Sequence, residues 1–130
     1  MNFRSYLARL EDTLYSRREV RVENERTVVV GSDATFVASV RFYDNSLLVI
    51  NEAIEIYGKH DMKRVNYVFH YQHADGVLIF RYDNSPHYPH LATFPAHKHL
   101  PDQVIAAEAP DLADVLREID TLLYPRTDTV

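Results

Sequence analysis

The chain has 130 residues, of which 46% are hydrophobic, with no cysteine and a formal net charge of −5. This length fits one ordinary domain, residues 1–130, with enough apolar side chains for a core. The lack of cysteine excludes disulfides and thiol chemistry, and no apolar run approaches the length of a bilayer span. The acidity disfavours sequence-blind binding to a polyphosphate, and the charged N-terminal region does not resemble a signal peptide. We therefore expect a cytoplasmic protein that does not contact a membrane.

Both ends of the chain show helical periodicity. Residues 2–16 predict an amphipathic helix, and residues 111–124 predict a second one. Pro110 and Asp111 suit the first turn of the second helix, and Pro125 ends it. The apolar positions that define the two faces are Phe3, Tyr6, Leu7, Leu10 and Leu14 in the first, and Leu112, Val115, Leu116, Ile119, Leu122 and Leu123 in the second.

The middle of the chain has the alternating pattern of strands. The stretch VRVENERTVVVG predicts a hairpin near Glu23–Arg26, and the following segment predicts two strands joined around Asn45, with Glu52 as a polar exception on an apolar face. Two more strands are joined by Asp75-Gly76. The prediction is one α+β domain: an N-terminal helix, about six mainly antiparallel strands, a His/Pro-rich loop and a C-terminal helix.

The last hairpin can be predicted to the residue. If Asp75-Gly76 is a two-residue turn, His70 faces Arg81 and Val68 faces Asp83, while Tyr71 and Phe80 share an aromatic face. A three-residue turn with a bulge would place Arg81 opposite Phe69 instead. The first register separates apolar from polar side chains better, so we prefer it.

The segment Arg81 to Leu100, RYDNSPHYPHLATFPAHKHL, contains four of the seven histidines and three of the six prolines. Because proline fixes φ and favours extended geometry in the residue before it, residues 85–101 predict a semi-rigid extended loop. A long ordered loop in so small a domain is usually functional. The density of titratable side chains in this segment makes it the candidate site.

Spacing sorts the histidines of this segment. His87 and His90 are three residues apart in a proline-fixed path and could lie on one side. If the backbone of His97-Lys98-His99 is extended, both rings point one way and the ammonium group of Lys98 points the other way.

Histidines, a carboxylate and basic groups are the components of metal-free chemistry at a phosphodiester or nucleotide. One histidine would act as base (His70 or His87) and another as acid (His97 or His99). Basic side chains would hold the phosphate, Asp83 would orient an imidazole, and tyrosines could stack a base. The candidate catalytic residues are His70, Arg81, Asp83, His87, His97, Lys98 and His99, and the candidate substrate-binding residues are Tyr71, Tyr82, Asn84 and Tyr88.

Other interpretations of the same residues stay open. A zinc or regulatory metal site could use His87, His90, His97 or His99, but no HExxH-type spacing and no cysteine support it, so the sequence predicts no metal and no cofactor. Alternatively, the rigid loop could be a non-catalytic docking surface, since tyrosine, arginine and histidine suit contacts between proteins. The tyrosines and phenylalanines at alternating positions in 67–71 and 78–82 are most simply core residues, and each histidine could be a buried hydrogen-bonding ring or a solvent-exposed one.

Three motifs within about residues 65–100 resemble the TumE family, the toxin half of bacterial and archaeal toxin–antitoxin pairs. These are a Tyr-x-x-His-Tyr strand, an Arg-Tyr-Asp-Asn-x-Pro-His segment and a Phe-Pro-x-His-Lys-His element. Here they correspond to Tyr67, His70 and Tyr71, then Arg81, Tyr82, Asp83, Asn84, Pro86 and His87, then Phe94, Pro95, His97, Lys98 and His99.

The resemblance implies a cytoplasmic protein that slows growth unless it is bound by a cognate antitoxin, usually a helix-turn-helix DNA-binding protein. It implies no catalytic residue, so the proposed catalytic roles stand on the residues alone. RNA or a nucleotide remains the predicted target, and an exposed strand edge could support a homodimer.

Overall fold

The computed structural model describes residues 1–125 and confirms the α+β class. Within them the order of elements is one helix, seven strands and one helix. Their bounds are α1 (Phe3–Tyr15), β1 (Arg21–Val30), β2 (Asp33–Arg41), β3 (Leu47–Tyr57), β4 (Asp61–Gln72), β5 (Leu78–Asp83), β6 (His97–His99), β7 (Val104–Ala106) and α2 (Leu112–Leu123).

The strands form a single antiparallel meander in which each strand pairs with the next one along the chain, in the order β1 to β7. Short turns suffice for such a sheet, because antiparallel neighbours need no crossover connection. The longest connection within the sheet is the one between β5 and β6, which contains the prolines and histidines singled out from the sequence.

Both predicted helices form, with ends within one residue of those expected. Asn2 caps α1 by accepting a hydrogen bond from the Ser5 N–H. Asp111 caps α2 and forms a capping box with Asp114, in which each side chain accepts from the other residue's backbone N–H. These contacts satisfy amide groups that have no partner inside a helix.

The core lies between one face of the sheet and the two helices. Alternate residues of the strands point into it, and the buried face of each helix covers them. The largest buried apolar side chains are Tyr71, Phe36, Phe69, Phe80, Leu14, Leu48, Ile50, Ile54, Leu112, Leu116 and Ile119. Within residues 1–125 no helix is long and apolar enough to span a bilayer.

The hairpin predicted near Glu23–Arg26 is wrong. β1 continues through this region with a bulge between Glu23 and Arg26, where Asn24 adopts a φ of 57°. The chain reverses later, at Gly31, which has a φ of 62°. Asparagine tolerates the left-handed conformation, so it can mark a bulge as well as a turn.

The predicted loop over residues 85–101 is shorter than expected, because its last part forms strands. His97–His99 pairs with β5, and Val104–Ala106 pairs with His97–His99 in turn. Three-residue strands carry too little periodicity to be recognised from sequence. The sequence predicts about six strands. The single strand β1 replaces the two predicted in VRVENERTVVVG, and the two short strands β6 and β7 bring the observed number to seven.

The register predicted for the β4–β5 hairpin is confirmed at its polar residues, but the turn differs. His70 pairs with Arg81 and Val68 pairs with Asp83. The His73 N–H donates to the Val77 carbonyl oxygen, so the loop has three residues rather than two. A register shift between Tyr71 and Gln72 then restores the predicted pairing.

Candidate functional site

Four polar side chains meet on the sheet face that points away from the helices. Strand pairing places Arg81 opposite His99 and Asp83 opposite His97. Because residues directly opposite each other in antiparallel strands point to the same face, the register itself assembles the four groups. We call Arg81, Asp83, His97 and His99 the site cluster.

The carboxylate of Asp83 lies at the centre of the site cluster. Its Oδ1 is 2.9 Å from His97 Nε2, and its Oδ2 is 3.3 Å from His99 Nε2. The Arg81 Nε–H donates to Oδ2 over 3.1 Å. The two imidazole Nε2 atoms are themselves 3.1 Å apart. Two rings and a guanidinium group thus converge on one carboxylate.

Asp83 stays ionised in this position. Its side chain is only 4% exposed, and burial alone would raise its pKa. The backbone N–H of Ser85, which donates to Oδ1 over 3.0 Å, and the ion pair with Arg81 outweigh that effect and lower the pKa of Asp83 below its usual range.

His97 is the most enclosed member of the cluster, with a side chain 1% exposed. Its Nδ1 lies 2.8 Å from the carbonyl oxygen of Pro95. Since a carbonyl oxygen only accepts hydrogen bonds, the proton on Nδ1 is fixed, and Nε2 faces Asp83 and His99. The backbone two residues earlier therefore sets both the tautomer and the orientation of this ring.

The cluster opens to solvent through His99 and Arg81, whose side chains are 25% and 39% exposed. Burial lowers the pKa of His99 below its usual range, and the neighbouring His97 and Arg81 act in the same direction, against the opposing effect of the Asp83 carboxylate. The Tyr88 ring packs over both imidazoles, with centroid distances of 4.8 Å to His97 and 5.7 Å to His99.

The loop that carries Tyr88 is built from successive turns. Leu91 N–H donates to the Tyr88 carbonyl oxygen, and Phe94 N–H donates to that of Leu91. Thr93 fixes the end of the loop, because its hydroxyl donates to the Ala96 carbonyl oxygen and accepts from the Ala107 N–H beyond β7. The loop is therefore tied to the strands it joins, but it consists of turns, so the extended path predicted from its prolines is wrong.

Lys98 and Tyr82, two further predicted site residues, lie on the opposite face of the sheet. The Lys98 Nζ is 2.6 Å from Glu118 Oε2, and the Tyr82 hydroxyl donates to the same carboxylate. The Lys98 ammonium also lies 4.9 Å from the centroid of the Tyr82 ring. The alternation predicted for His97-Lys98-His99 is thus observed, and it joins Lys98 to α2 rather than to the site cluster.

Tyr71 and Asn84 occupy structural positions. Tyr71 is buried in the core, where its hydroxyl shares a 2.7 Å hydrogen bond with Ser46. The Asn84 side chain extends the edge of β4, accepting from the Tyr67 N–H and donating to the Val65 carbonyl oxygen. The hydrogen bonds that these two side chains make within residues 1–125 are to groups outside the site cluster.

The remaining predicted histidines differ in position. His70 lies next to Arg81 in the neighbouring strand; its Nε2 contacts Gln72, and its buried Nδ1 has no hydrogen-bond partner in residues 1–125. His87 is exposed in the loop. His90 is also exposed and contacts the Tyr88 ring at 6.4 Å between centroids.

In the described chain, Asp83, His97 and His99 form a group of donor atoms compact enough to hold one metal ion. Their ligand atoms all lie within 4.8 Å of one another. His87 and His90 do not belong to it. The metal alternative considered from sequence therefore retains two of its four histidines and gains a carboxylate.

Sequence reasoning missed the backbone groups that complete the site, namely the Ser85 N–H and the Pro95 carbonyl oxygen. It also left the polar exception at Glu52 unexplained. This carboxylate is fully buried on the helical face, where it accepts from the Tyr6 hydroxyl and pairs with Arg64 at 3.3 Å. The signal was present, since a lone carboxylate on an apolar strand face needs partners.

The fold and site together define a small α+β protein with a His–Asp–Arg cluster on its open sheet face. The family model described as Toxin TumE matches residues 7–123. The chain therefore belongs to the TumE toxin family, and it is the toxin component of a toxin–antitoxin system with a cognate antitoxin as its partner. No curated protein and no solved structure gives a significant match.

Proposed function

We propose that this toxin inhibits growth as an enzyme, through chemistry at a phosphate group of RNA or of a nucleotide centred on the site cluster. The observation that carries the proposal is the buried Asp83 carboxylate held between two imidazoles and a guanidinium, with one open side. Charged groups that are collected and oriented at such an opening are more typical of reaction sites than of structural positions.

The members of the cluster suit different roles. Arg81 is the most exposed, and its guanidinium fork fits a phosphate, whose developing charge it would stabilise. Asp83, His97 and His99 would activate the attacking nucleophile. Tyr88 borders the same opening, and its ring offers a surface on which a base could stack. His70 lies beside Arg81 and could contact the same substrate.

The setting of the proposal follows from the family. We propose a cytoplasmic toxin whose antitoxin is of the helix-turn-helix type. The net charge of −5 disfavours non-specific binding along the phosphate backbone of RNA. It favours a substrate that is recognised by its shape at the site cluster. For a homodimer, the candidate contact is the outer edge of β1, which pairs with no other strand among the described residues.

The test is to incubate purified untagged protein with total bacterial RNA, with tRNA and with free nucleotides, and to identify the products by end mapping and mass spectrometry. We expect a defined cleaved or modified product from wild type. His99→Gln keeps a polar side chain of similar reach but removes the imidazole, so its product should fall at least about a hundredfold, in the range typical for loss of a catalytic group.

The matched control is His60→Gln, because His60 is exposed in the turn between β3 and β4, far along β4 from the site cluster. It should act like wild type. Absence of any product from wild type, or equal product from His99→Gln, would contradict the enzyme proposal and favour toxicity by docking.

A further inference from the structure

We propose that Asp83, His97 and His99 bind one divalent transition-metal ion, of the class that includes Zn²⁺, Fe²⁺ and Mn²⁺. The binding itself is argued from the geometry of these three residues. Only the ion's part in the reaction rests on the proposed function.

The donor atoms have the spacing of ligands around a single ion. His97 Nε2 lies 2.9 Å from Asp83 Oδ1, His99 Nε2 lies 3.3 Å from Asp83 Oδ2, and the two nitrogens are 3.1 Å apart. Ligand atoms about 2.1 Å from an ion, at about right angles to one another, are separated by about 3 Å. These distances join four atoms, since each histidine faces a different oxygen of Asp83, and the ligand atoms of the three residues all lie within 4.8 Å of one another. The three residues can therefore hold one ion from the same side.

The hydrogen bond to Pro95 determines which nitrogen of His97 is available to an ion. Because the Nδ1–H of His97 donates to the Pro95 carbonyl oxygen, its Nε2 is the nitrogen that faces the other two residues. This Nε2 lies close to Asp83 Oδ1 and to the Nε2 of His99. An ion bound among these atoms would contact all three residues.

The surroundings orient the donors as the supporting shell of a metal site does. A ligating histidine usually donates its other N–H to a carbonyl or carboxylate, and Pro95 receives that hydrogen bond from His97. Ser85 N–H and Arg81 Nε–H hold the two oxygens of Asp83 in place. Such bonds fix the geometry before any ion arrives.

Burial indicates an ion with open coordination positions. Asp83 and His97 are enclosed by protein, whereas His99 is a quarter exposed and lies beside the solvent-accessible Arg81. Three protein ligands with free positions are typical of catalytic rather than structural sites. Two imidazoles with one carboxylate favour transition metals over Mg²⁺ or Ca²⁺, which prefer oxygen ligands.

Arg81 opposes the ion. Its charge is already paired with Asp83, so the arrival of a divalent ion leaves the cluster positively charged. The exposed guanidinium can turn toward solvent or toward a substrate phosphate. The phosphate would then be attracted by both the guanidinium and the metal ion. Bound in this way, a divalent ion supplies a more acidic water and a Lewis acid for phosphate chemistry.

The experiment is titration of untagged protein, freed of metal by a chelator, with Zn²⁺ by calorimetry and with Co²⁺ by visible absorption. Wild type and His60→Gln should each bind one ion per chain and should melt at a higher temperature when loaded. His99→Gln and His97→Gln should each weaken the affinity by at least about tenfold, and Asp83→Asn should also weaken it. Circular dichroism checks folding, and the partly exposed His99 provides the variant least dependent on packing.

Binding below a small fraction of one equivalent in wild type, or equal affinity in folded His99→Gln, would overturn the proposal. The two proposals fail separately. An RNA product that persists in excess chelator would contradict a part for the ion in the reaction while sparing the enzyme proposal, whereas a bound ion without any product would contradict the enzyme proposal and leave metal binding intact.

Discussion

The Asp83 carboxylate accepts from Ser85 and Arg81 and still faces two imidazoles, so every other member of the site depends on it. Its place in the site was predictable from sequence, since β-strand alternation and the hairpin register put Asp83 and Arg81 on one face. The orientation of His97 was not predictable. It depends on the backbone carbonyl oxygen of Pro95. Because every residue has a backbone carbonyl group, residue types alone do not indicate which one will accept this hydrogen bond.

Arg81→Gln separates the two proposals at the level of one side chain. Glutamine can still donate a hydrogen bond to Asp83, so the change removes mainly the positive charge next to the donors, and it should strengthen Zn²⁺ binding by several-fold because like charges repel. The same change should abolish the RNA or nucleotide product, because the phosphate loses its guanidinium partner. The control is Arg21→Gln, whose arginine is exposed on β1 and pairs only loosely with Glu23. Weaker Zn²⁺ binding in Arg81→Gln would contradict the assigned role of Arg81.

Glu52 is a second residue with a testable consequence. Burial raises its pKa above the usual range, against the hydrogen bond from Tyr6 and the charge of Arg64, which both lower it. A raised pKa means that the folded state binds the proton more tightly than the unfolded chain does. At a pH above the folded-state pKa, ionised Glu52 therefore lowers the free energy of unfolding. As the pH falls below that pKa toward the pKa of the unfolded chain, Glu52 is protonated and the protein regains this free energy of unfolding.

Tyr6→Phe should lower the free energy of unfolding by about 1–3 kcal/mol at neutral pH, because a buried carboxylate loses a hydrogen-bond donor. The deficit should shrink as the pH falls and Glu52 is protonated. Urea denaturation of both proteins at several pH values measures it. Tyr15→Phe is the control, since Tyr15 donates to Glu25 on the exposed surface. A deficit that grows as the pH falls would contradict the role of Tyr6 as a donor to ionised Glu52.

Among the elements, β6 determines the geometry of the site cluster although it has only three residues. The predicted alternation of His97-Lys98-His99 is confirmed, and it sends two rings to the open face and the ammonium to α2. That these residues pair with β5 was not predicted. Pairing across a connection of more than ten residues depends on where the loop returns, which local pattern does not encode.

Lys98 and Glu118 join β6 to α2, and a double-mutant cycle with Lys98→Met and Glu118→Gln measures that link. We expect a coupling free energy of about 1–2 kcal/mol, because both side chains are mostly shielded from solvent. The exposed pair Arg117 and Asp114 on the same helix should couple by about 0.5 kcal/mol or less. Equal coupling for the two pairs would show that β6 is not held to the helix through Lys98.

On the scale of the whole molecule, the meander and its two helices leave one sheet face free of helical cover. The helical face buries the core, and the open face carries the site cluster under the loop with Tyr88. Fold class, both helices and the polar pairing of β4 with β5 were predictable because each follows from periodicity. The bulge in β1 was not predictable because an asparagine can mark a bulge as well as a turn, and the last two strands were not predictable because three residues carry too little periodicity.

The central claim is that growth inhibition depends on the chemistry of the site cluster. The most direct measurement is the growth of a bacterial host after induced expression, without antitoxin, of wild type, His99→Gln and His60→Gln at matched soluble levels. We predict arrest by wild type and by His60→Gln, and normal growth with His99→Gln, whose folding is confirmed by circular dichroism. Equal arrest by all three would contradict the account, because the toxin would then act without its imidazole.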